Sequence, residues 1–274
     1  MKNTLAVIIL ALLLAACTSK PKETFVTITT PYGDIVVKLY DSTVKHKENF
    51  LKLADAGYFN GTLFHRVIQK FMIQGGDPTS RNAGPGVKLG DGDTTYTLPF
   101  EYVHSYLHKR GAFAAARESD DKNPLKASSA SQFYIVQGKV FTNDELDAVE
   151  SKVERRTKQY ILMDILKKDG KEDELKALNE FTEKRDTASI RRVIEKYRNA
   201  VEAQYMRTKP FKLTDEQRRV YTTIGGTPHL DGAYTVFGEV VSGMEIVDQI
   251  AAVQTDTNDR PVQDIRMTIK VLKK

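Results

Sequence analysis

The chain has no tryptophan and a single cysteine among its 274 residues. One cysteine cannot close an intrachain disulfide, so a disulfide-stapled scaffold is excluded. Long apolar runs are scarce. The stretch from Leu5 to Leu14 is too short to span a bilayer as a permanent helix, and no later segment is apolar enough. Nor is there a large excess of one charge. The formal net charge is +5, and Lys and Arg are interleaved with Asp and Glu, most densely in the middle of the chain. That mixture describes solvated helix faces rather than the clustered basic face of a nucleic-acid binder, so no nucleic-acid partner is expected.

What is present begins at the N-terminus. Lys2 precedes the apolar run, which ends in Leu14-Ala15-Ala16-Cys17. A positive residue, a short apolar stretch and small residues describe an export signal. The ending resembles the bacterial lipobox. That resemblance implies cleavage before Cys17 and a diacylglycerol on its thiol. Residues 1–16 are read as signal peptide and 17–23 as a lipidated polar tether to a membrane of the bacterial cell envelope. Thr18-Ser19 lacks the Asp typical of inner-membrane retention in some bacteria, which points to the outer membrane.

The next part of the chain has strand character. Val26 and Ile28, then Ile35, Val37 and Leu39, alternate with polar neighbours across a Pro31-Tyr32-Gly33 turn. Phe50, Leu51 and Ala54 predict a helix over 43–56, ended by Gly57. Short β-type runs follow at 63–68, 71–74, 111–116 and 132–137, with a Gly- and Asp-rich loop over 81–95.

Between Thr142 and Tyr221 glycine nearly disappears. Thr142-Asn143-Asp144-Glu145 is a capping box, and 214–217 looks like another. Apolar stripes at Leu146, Val149 and Val153, at Ile161, Ile165 and Leu166, at Leu175, Leu178 and Phe181, and at Ile190, Val193, Ile194, Tyr197 and Val201 predict three or four helices. Strand character returns at 235–241 and 265–272, with a short helix over 242–250 between them. The organisation is therefore a first β part over 24–140, a helical insertion over 141–222 and a second β part over 223–274. Several short strands with two helices suggest a closed barrel, a mainly β fold with an inserted α-helical lobe.

Three segments carry a resemblance. They are residues 64–77 (FHRVIQKFMIQGGD), residues 131–135 (SQFYI) and residues 229–238 (HLDGAYTVFG). Their residues and their order resemble the cyclophilin-type peptidyl-prolyl cis-trans isomerases, over about 25–137 and from about 223 to the C-terminus. The resemblance implies an eight-stranded antiparallel barrel capped by two helices, with a catalytic groove on its outer face. Proline-containing polypeptides are the implied substrates, and no metal or cofactor is required.

The chemistry explains why an arginine would matter. Rotation about a peptide C–N bond faces a barrier of about 18–20 kcal/mol because it destroys amide resonance. In the twisted state the prolyl nitrogen regains a lone pair. A fixed donor aimed at that lone pair binds the twisted amide better than either planar form. Arginine is always charged and its donors form a rigid fork. By resemblance Arg66 has this task and Gln74 orients it. Phe71, Met72 and Leu230 match the proline pocket, Tyr134 its aromatic member, and Gln132 the residue that holds substrate backbone.

The sequence departs from the family at several of these places. Ala116 of the groove wall is followed by Arg117-Glu118, where many members have Asn-Ala. His229 stands for a common Trp, Tyr234 for a common His and Tyr134 for Phe. The missing indole N–H implies weak binding of cyclosporin-like peptides. Other residues read as structural. His65 is expected to be a core histidine and Gly75-Gly76-Asp77 a backbone turn. His104 and His108 have the i, i+4 spacing of metal ligands, but no third ligand accompanies them. The insertion enters just before His229 and Leu230. It could serve as a stabilising lobe, as a grip on unfolded chains in a binding module that needs no catalysis, or as a surface for a partner or for self-association.

Overall fold

Alternating apolar residues build the first hairpin. The computed structural model describes residues 23–92, 95–168 and 170–272; the export-signal and Cys17 readings lie outside the described residues. Strand β1 (Thr24–Thr30) pairs with β2 (Gly33–Leu39), and Val26, Ile28, Ile35, Val37 and Leu39 all face inward and are buried. The remaining long-range strands are β3 (Phe64–Ile68), β4 (Met72–Gly75), β6 (Ala112–Ala115), β8 (Phe133–Val136), β9 (Val236–Ser242) and β10 (Thr268–Leu272). They form one antiparallel eight-stranded sheet in the order β10-β1-β2-β9-β6-β8-β4-β3. The sheet curls until its ends meet. The Phe64 amide donates to Ile265 O and the Met267 amide to Thr62 O, each at 2.9 Å. This is the barrel implied by the resemblance.

Period-two alternation gives the barrel wall two apolar faces. Phe113, Phe133, Ile135 and Phe237 point inward, where Phe50 of helix α1 (Val44–Asp55) joins them. Its ring centroid lies 4.8 Å from that of Phe59 and 5.2 Å from that of Phe113. Such pairs add about 0.5–1.5 kcal/mol each beyond simple burial. Met72, Ala112, Ala114, Tyr134, Val136 and Val236 point the other way and form a second buried cluster, on the outer face. At the C-terminal end α6 (Met244–Ala251) buries Val247, Ile250 and Ala251 against the core.

The insertion contains α2 (Asn143–Leu166), α3 (Glu172–Glu183), α4 (Thr187–Arg207) and α5 (Asp215–Thr223). Both capping boxes form, at Thr142–Glu145 and Thr214–Gln217. Its own core joins Ile161, Leu162, Ile165 and Leu166 to Leu178, Tyr197, Val201 and Tyr205. Not every residue of the predicted stripes joins this core. Ile194 on α4 is 49% exposed, and Val149 and Val153 are only half-buried, because the inward position on the first half of α2 goes to Glu150. Its carboxylate accepts from Lys212 at 2.7 Å, from Arg218 at 2.9 Å and from the Leu213 amide at 2.9 Å.

The root of the insertion is held to the barrel by backbone. The Gly226 amide donates to Lys139 O at 2.9 Å, and the Thr227 amide to His108 O at 2.8 Å. Gly226 has φ +150°, and a Cβ there would stand 2.2 Å from His108 O, so only glycine lets the chain pass. Two features of the loops differ from the sequence reading. The 81–95 loop opens with a 3₁₀ turn, Pro78–Asn82, and a two-residue ladder pairs β5 (Thr97–Leu98) with β7 (Ser128–Ser129). Segments this short carry no detectable alternation in the sequence.

Candidate active site

The outer face of the barrel holds a groove of about 890 Å³. Arg66, Phe71, Met72, Gln74, Ala116, Gln132, Tyr134, Leu230 and Tyr234 line it together, although they come from both β parts of the chain. His229 is exposed beside it, and its ring stacks on Phe71 with centroids 5.6 Å apart.

Strand register sets the polar half. Arg66 on β3 lies opposite Gln74 on β4, which lies opposite Tyr134 on β8. The Arg66 guanidinium makes a long 3.5 Å contact to Gln74 Oε1. Gln74 Nε2 donates to Gln132 Oε1 at 3.1 Å. Gln132 Nε2 in turn donates to the carbonyls of Gly90 and Gly92, at 2.8 and 2.5 Å. The arginine is thus the free end of a chain of amides anchored in the 81–95 loop. Its side chain is 42% exposed, so its remaining N–H groups are accessible to a peptide in the groove.

A further contact comes from a residue the sequence reading did not single out. Arg66 Nε lies 3.5 Å from a carboxylate oxygen of Asp259. Asp259 stands in a turn with φ +61°, and its carbonyl accepts from the Val67 amide at 2.8 Å. The unusual backbone is therefore pinned directly to the strand that carries the arginine. Aspartate tolerates this left-handed region better than most residues.

The apolar half is Phe71, Met72, Tyr134 and Leu230, with Tyr234 meeting Tyr134 edge to face at 6.0 Å. Burial pushes the Tyr134 phenol well above its ordinary pKa, so it stays protonated. The departures at Arg117 and Tyr234 are coupled. The Arg117 guanidinium lies 4.5 Å from the centre of the Tyr234 ring, and its Nε donates to Ala233 O at 2.8 Å. The side chain of Arg117 is only 3% exposed, so it props the wall rather than reaching for substrate. Helix α2 packs along Pro228–Leu230, which places the insertion next to this half of the groove.

The histidines divide by environment. His65 is buried, as expected for a core residue, and also borders the groove. Burial lowers its pKa to about 4, with Asp77 opposing that shift. His104 is exposed and contacts the Tyr102 hydroxyl, whereas His108 is fully buried and bonded to Asp231 and Tyr134. The i, i+4 spacing thus places them in different surroundings. Among the described residues no group of three His, Cys, Asp or Glu converges as a metal site would require.

Comparison with known proteins identifies the family and the fold. The family profile described as "Cyclophilin type peptidyl-prolyl cis-trans isomerase/CLD" matches residues 25–271. A Streptococcus pyogenes chain whose name joins a phosphatase to a peptidyl-prolyl cis-trans isomerase is 30% identical over 88% of this chain. This chain spans 37% of that relative's length. The peptidyl-prolyl cis-trans isomerase ppi1 of Schizosaccharomyces pombe is 25% identical, over 88% of this chain and 94% of its own. A crystal structure of a Cryptosporidium parvum cyclophilin-type isomerase, obtained in the presence of the dipeptide Ala-Pro, superposes with a TM-score of 0.51. It is 20% identical and covers 91% of this chain and 99% of its own, which establishes the likeness of fold.

Proposed function

The chain belongs to the cyclophilin-type peptidyl-prolyl cis-trans isomerases, and from that premise we propose that it isomerises Xaa-Pro bonds of exported or envelope proteins to assist their folding. One observation carries the reading. A partly exposed arginine, oriented by Gln74 and Asp259, stands at an apolar groove lined by Phe71, Met72, Tyr134 and Leu230. The proline ring enters the apolar half. The Arg66 fork donates to the prolyl nitrogen as the amide twists, and Gln132 and its neighbours hold the flanking backbone. The donor is already in place before rotation, so it adds little reorganisation to the barrier.

Exchange spectroscopy or a protease-coupled assay on an Xaa-Pro peptide tests this. Wild type accelerates the exchange, and Arg66→Ala loses about 10²–10³ of kcat/KM, the scale of one preorganised donor. An Arg66→Ala variant as active as wild type sinks the assignment.

The cellular part of the proposal rests on Leu14-Ala15-Ala16-Cys17. A lipid on Cys17 would keep the barrel at the envelope, on the outer membrane, with residues 17–23 as tether. Mass spectrometry of the purified protein reads the modification directly. An unmodified Cys17, or a retained leader, removes the anchor. The insertion offers a surface for a protein partner or for self-association, supported by the exposed Met206 and Ile194 of α4. A strictly monomeric sedimentation profile removes the second of these.

A further inference from the structure

A line of buried hydrogen bonds runs from the insertion to the groove. Tyr221 on α5 has no solvent exposure, and its hydroxyl donates to Asp231 Oδ2 at 2.6 Å. Asp231 Oδ1 accepts from the His108 amide at 2.8 Å and faces His108 Nδ1 at 2.9 Å. His108 Nε2 then meets the Tyr134 hydroxyl at 3.0 Å. The carboxylate offers only acceptors, so the Nδ1 position carries the proton and donates. In the neutral imidazole Nε2 then keeps a lone pair, and the Tyr134 hydroxyl donates to it. In that state every donor along the line has one acceptor, and the direction of each bond follows.

The two ends of this line belong to different parts of the molecule. Tyr134 is the aromatic wall of the pocket, held between the nearly parallel His108 ring and the edge-on Tyr234 ring. Tyr221 packs with Leu146 and Leu213 of the insertion and with Leu107, the neighbour of His108. Asp231 directly follows the pocket residue Leu230. A shift of α5 therefore moves Asp231, and through it both a pocket wall and the imidazole that fixes the other wall.

We infer that His108 is a positioning residue for the Tyr134 wall of the proline pocket, and that Tyr221 makes the helical insertion a part of that positioning through Asp231. This rests on the reading of the groove as the substrate site. It assigns the insertion a task at the barrel's groove, beyond packing on itself. Low local dielectric strengthens such a chain, and an unpaired member of it is costly.

The test uses the full chain. Long-range ¹⁵N–¹H spectra report the two imidazole nitrogens of His108. Wild type shows a single tautomer, protonated on Nδ1. Tyr221→Phe keeps the ring and removes one hydroxyl 10 residues from Asp231 in sequence. It shifts the His108 and Tyr134 signals without unfolding the chain. It also raises KM for an Xaa-Pro peptide about two- to tenfold, the scale of one net hydrogen bond, with kcat little changed. Tyr134→Phe moves Nε2 toward the value of a free lone pair. Leu213→Ala loosens the same apolar seam, lowers the melting temperature and leaves the Nδ1 tautomer in place. Unchanged His108 signals in Tyr221→Phe, or a His108 protonated on Nε2 in wild type, overturn the inference. An inactive wild type overturns the isomerase reading instead, and the imidazole response still decides the coupling.

Discussion

The Arg66 guanidinium lies between two oxygen acceptors, Gln74 Oε1 through one terminal nitrogen and Asp259 through Nε, each at 3.5 Å. Both contacts are long, so neither consumes the arginine. They limit its rotation while leaving donors for a peptide. Asp259 is 46% exposed, and a pair in that environment contributes about 0–1 kcal/mol. Asp259→Asn is accordingly expected to lower kcat/KM only about two- to fivefold, far less than loss of Arg66 itself. The deficit narrows as salt is raised, because salt screens the same pair in wild type. Steady-state assays at two ionic strengths check both statements.

Much of the site could be read in the sequence because residues 64–77, 131–135 and 229–238 resemble signature segments of one family. That resemblance points to Arg66, Met72, Gln74, Gln132 and Tyr134, and the register of β3, β4 and β8 sets Arg66, Gln74 and Tyr134 side by side. What escaped the reading comes from loops joined across long separations. Asp259 meets Arg66 across most of the chain, and His108 meets Asp231 across 123 residues. Neither pair has a periodic signature. The i, i+4 pair His104 and His108 suggested only a metal question, whereas His108 has its partners far away in sequence. Glu150 escaped for a related reason. It occupies an inward position on α2 that hydropathy assigns to its apolar neighbours Val149 and Val153.

Stability has a defined acid window. Burial holds His65 neutral down to about pH 4, against an ordinary value of 6.5. Below about pH 6.5 the unfolded chain takes up a proton that the folded chain refuses, so stability falls with pH. The loss levels off near pH 4, where the folded imidazole protonates as well. Burial acts on His46 in the same direction, against the hydrogen bond it donates to the Glu101 carboxylate. Asp77 is a separate case: burial raises its carboxyl, but hydrogen bonds from Thr79 and Gly90 outweigh it and keep the group below 3.8. Its contribution disappears only under that lower pH. Melting curves from pH 7 to pH 4.5 are expected to fall steadily for wild type and less steeply for His65→Gln.

The insertion's seam depends on one carboxylate. Glu150 has a side chain only 6% exposed, with Lys212, Arg218 and the Leu213 amide around it. Burial alone would raise its pKa, yet these donors bring it below the ordinary value. Glu150→Ala leaves a buried amide unpaired, removes the carboxylate bonded to Lys212 and leaves Arg218 only Asp147, at a cost of about 1–3 kcal/mol. Lys212 is 73% exposed, and Lys212→Ala is expected to cost under about 0.5 kcal/mol. Urea unfolding of the two variants separates them by midpoint. Equal losses would mean that the carboxylate serves only as a surface ion-pair partner.

His229 offers the most direct control over ligand choice. It stands at the rim of the groove, stacked on Phe71 with the rings inclined by 25°. A histidine ring fills part of the area of an indole and directs its N–H groups differently. The chain contains no tryptophan anywhere to replace that donor. Cyclosporin-like peptides should therefore inhibit the wild type weakly. His229→Trp restores a broad apolar wall over Phe71 and one N–H donor at the rim. One hydrogen bond with the added apolar contact amounts to about 1.5–3 kcal/mol, or roughly ten- to a hundredfold in affinity. The gain should appear in the inhibition constant while kcat/KM for a small Xaa-Pro peptide changes little, because the proposed proline pocket lies deeper, against Met72 and Tyr134. Titration of the two proteins with the same cyclic peptide decides it. Nanomolar inhibition of the wild type would show that the groove supplies the donor from somewhere other than position 229.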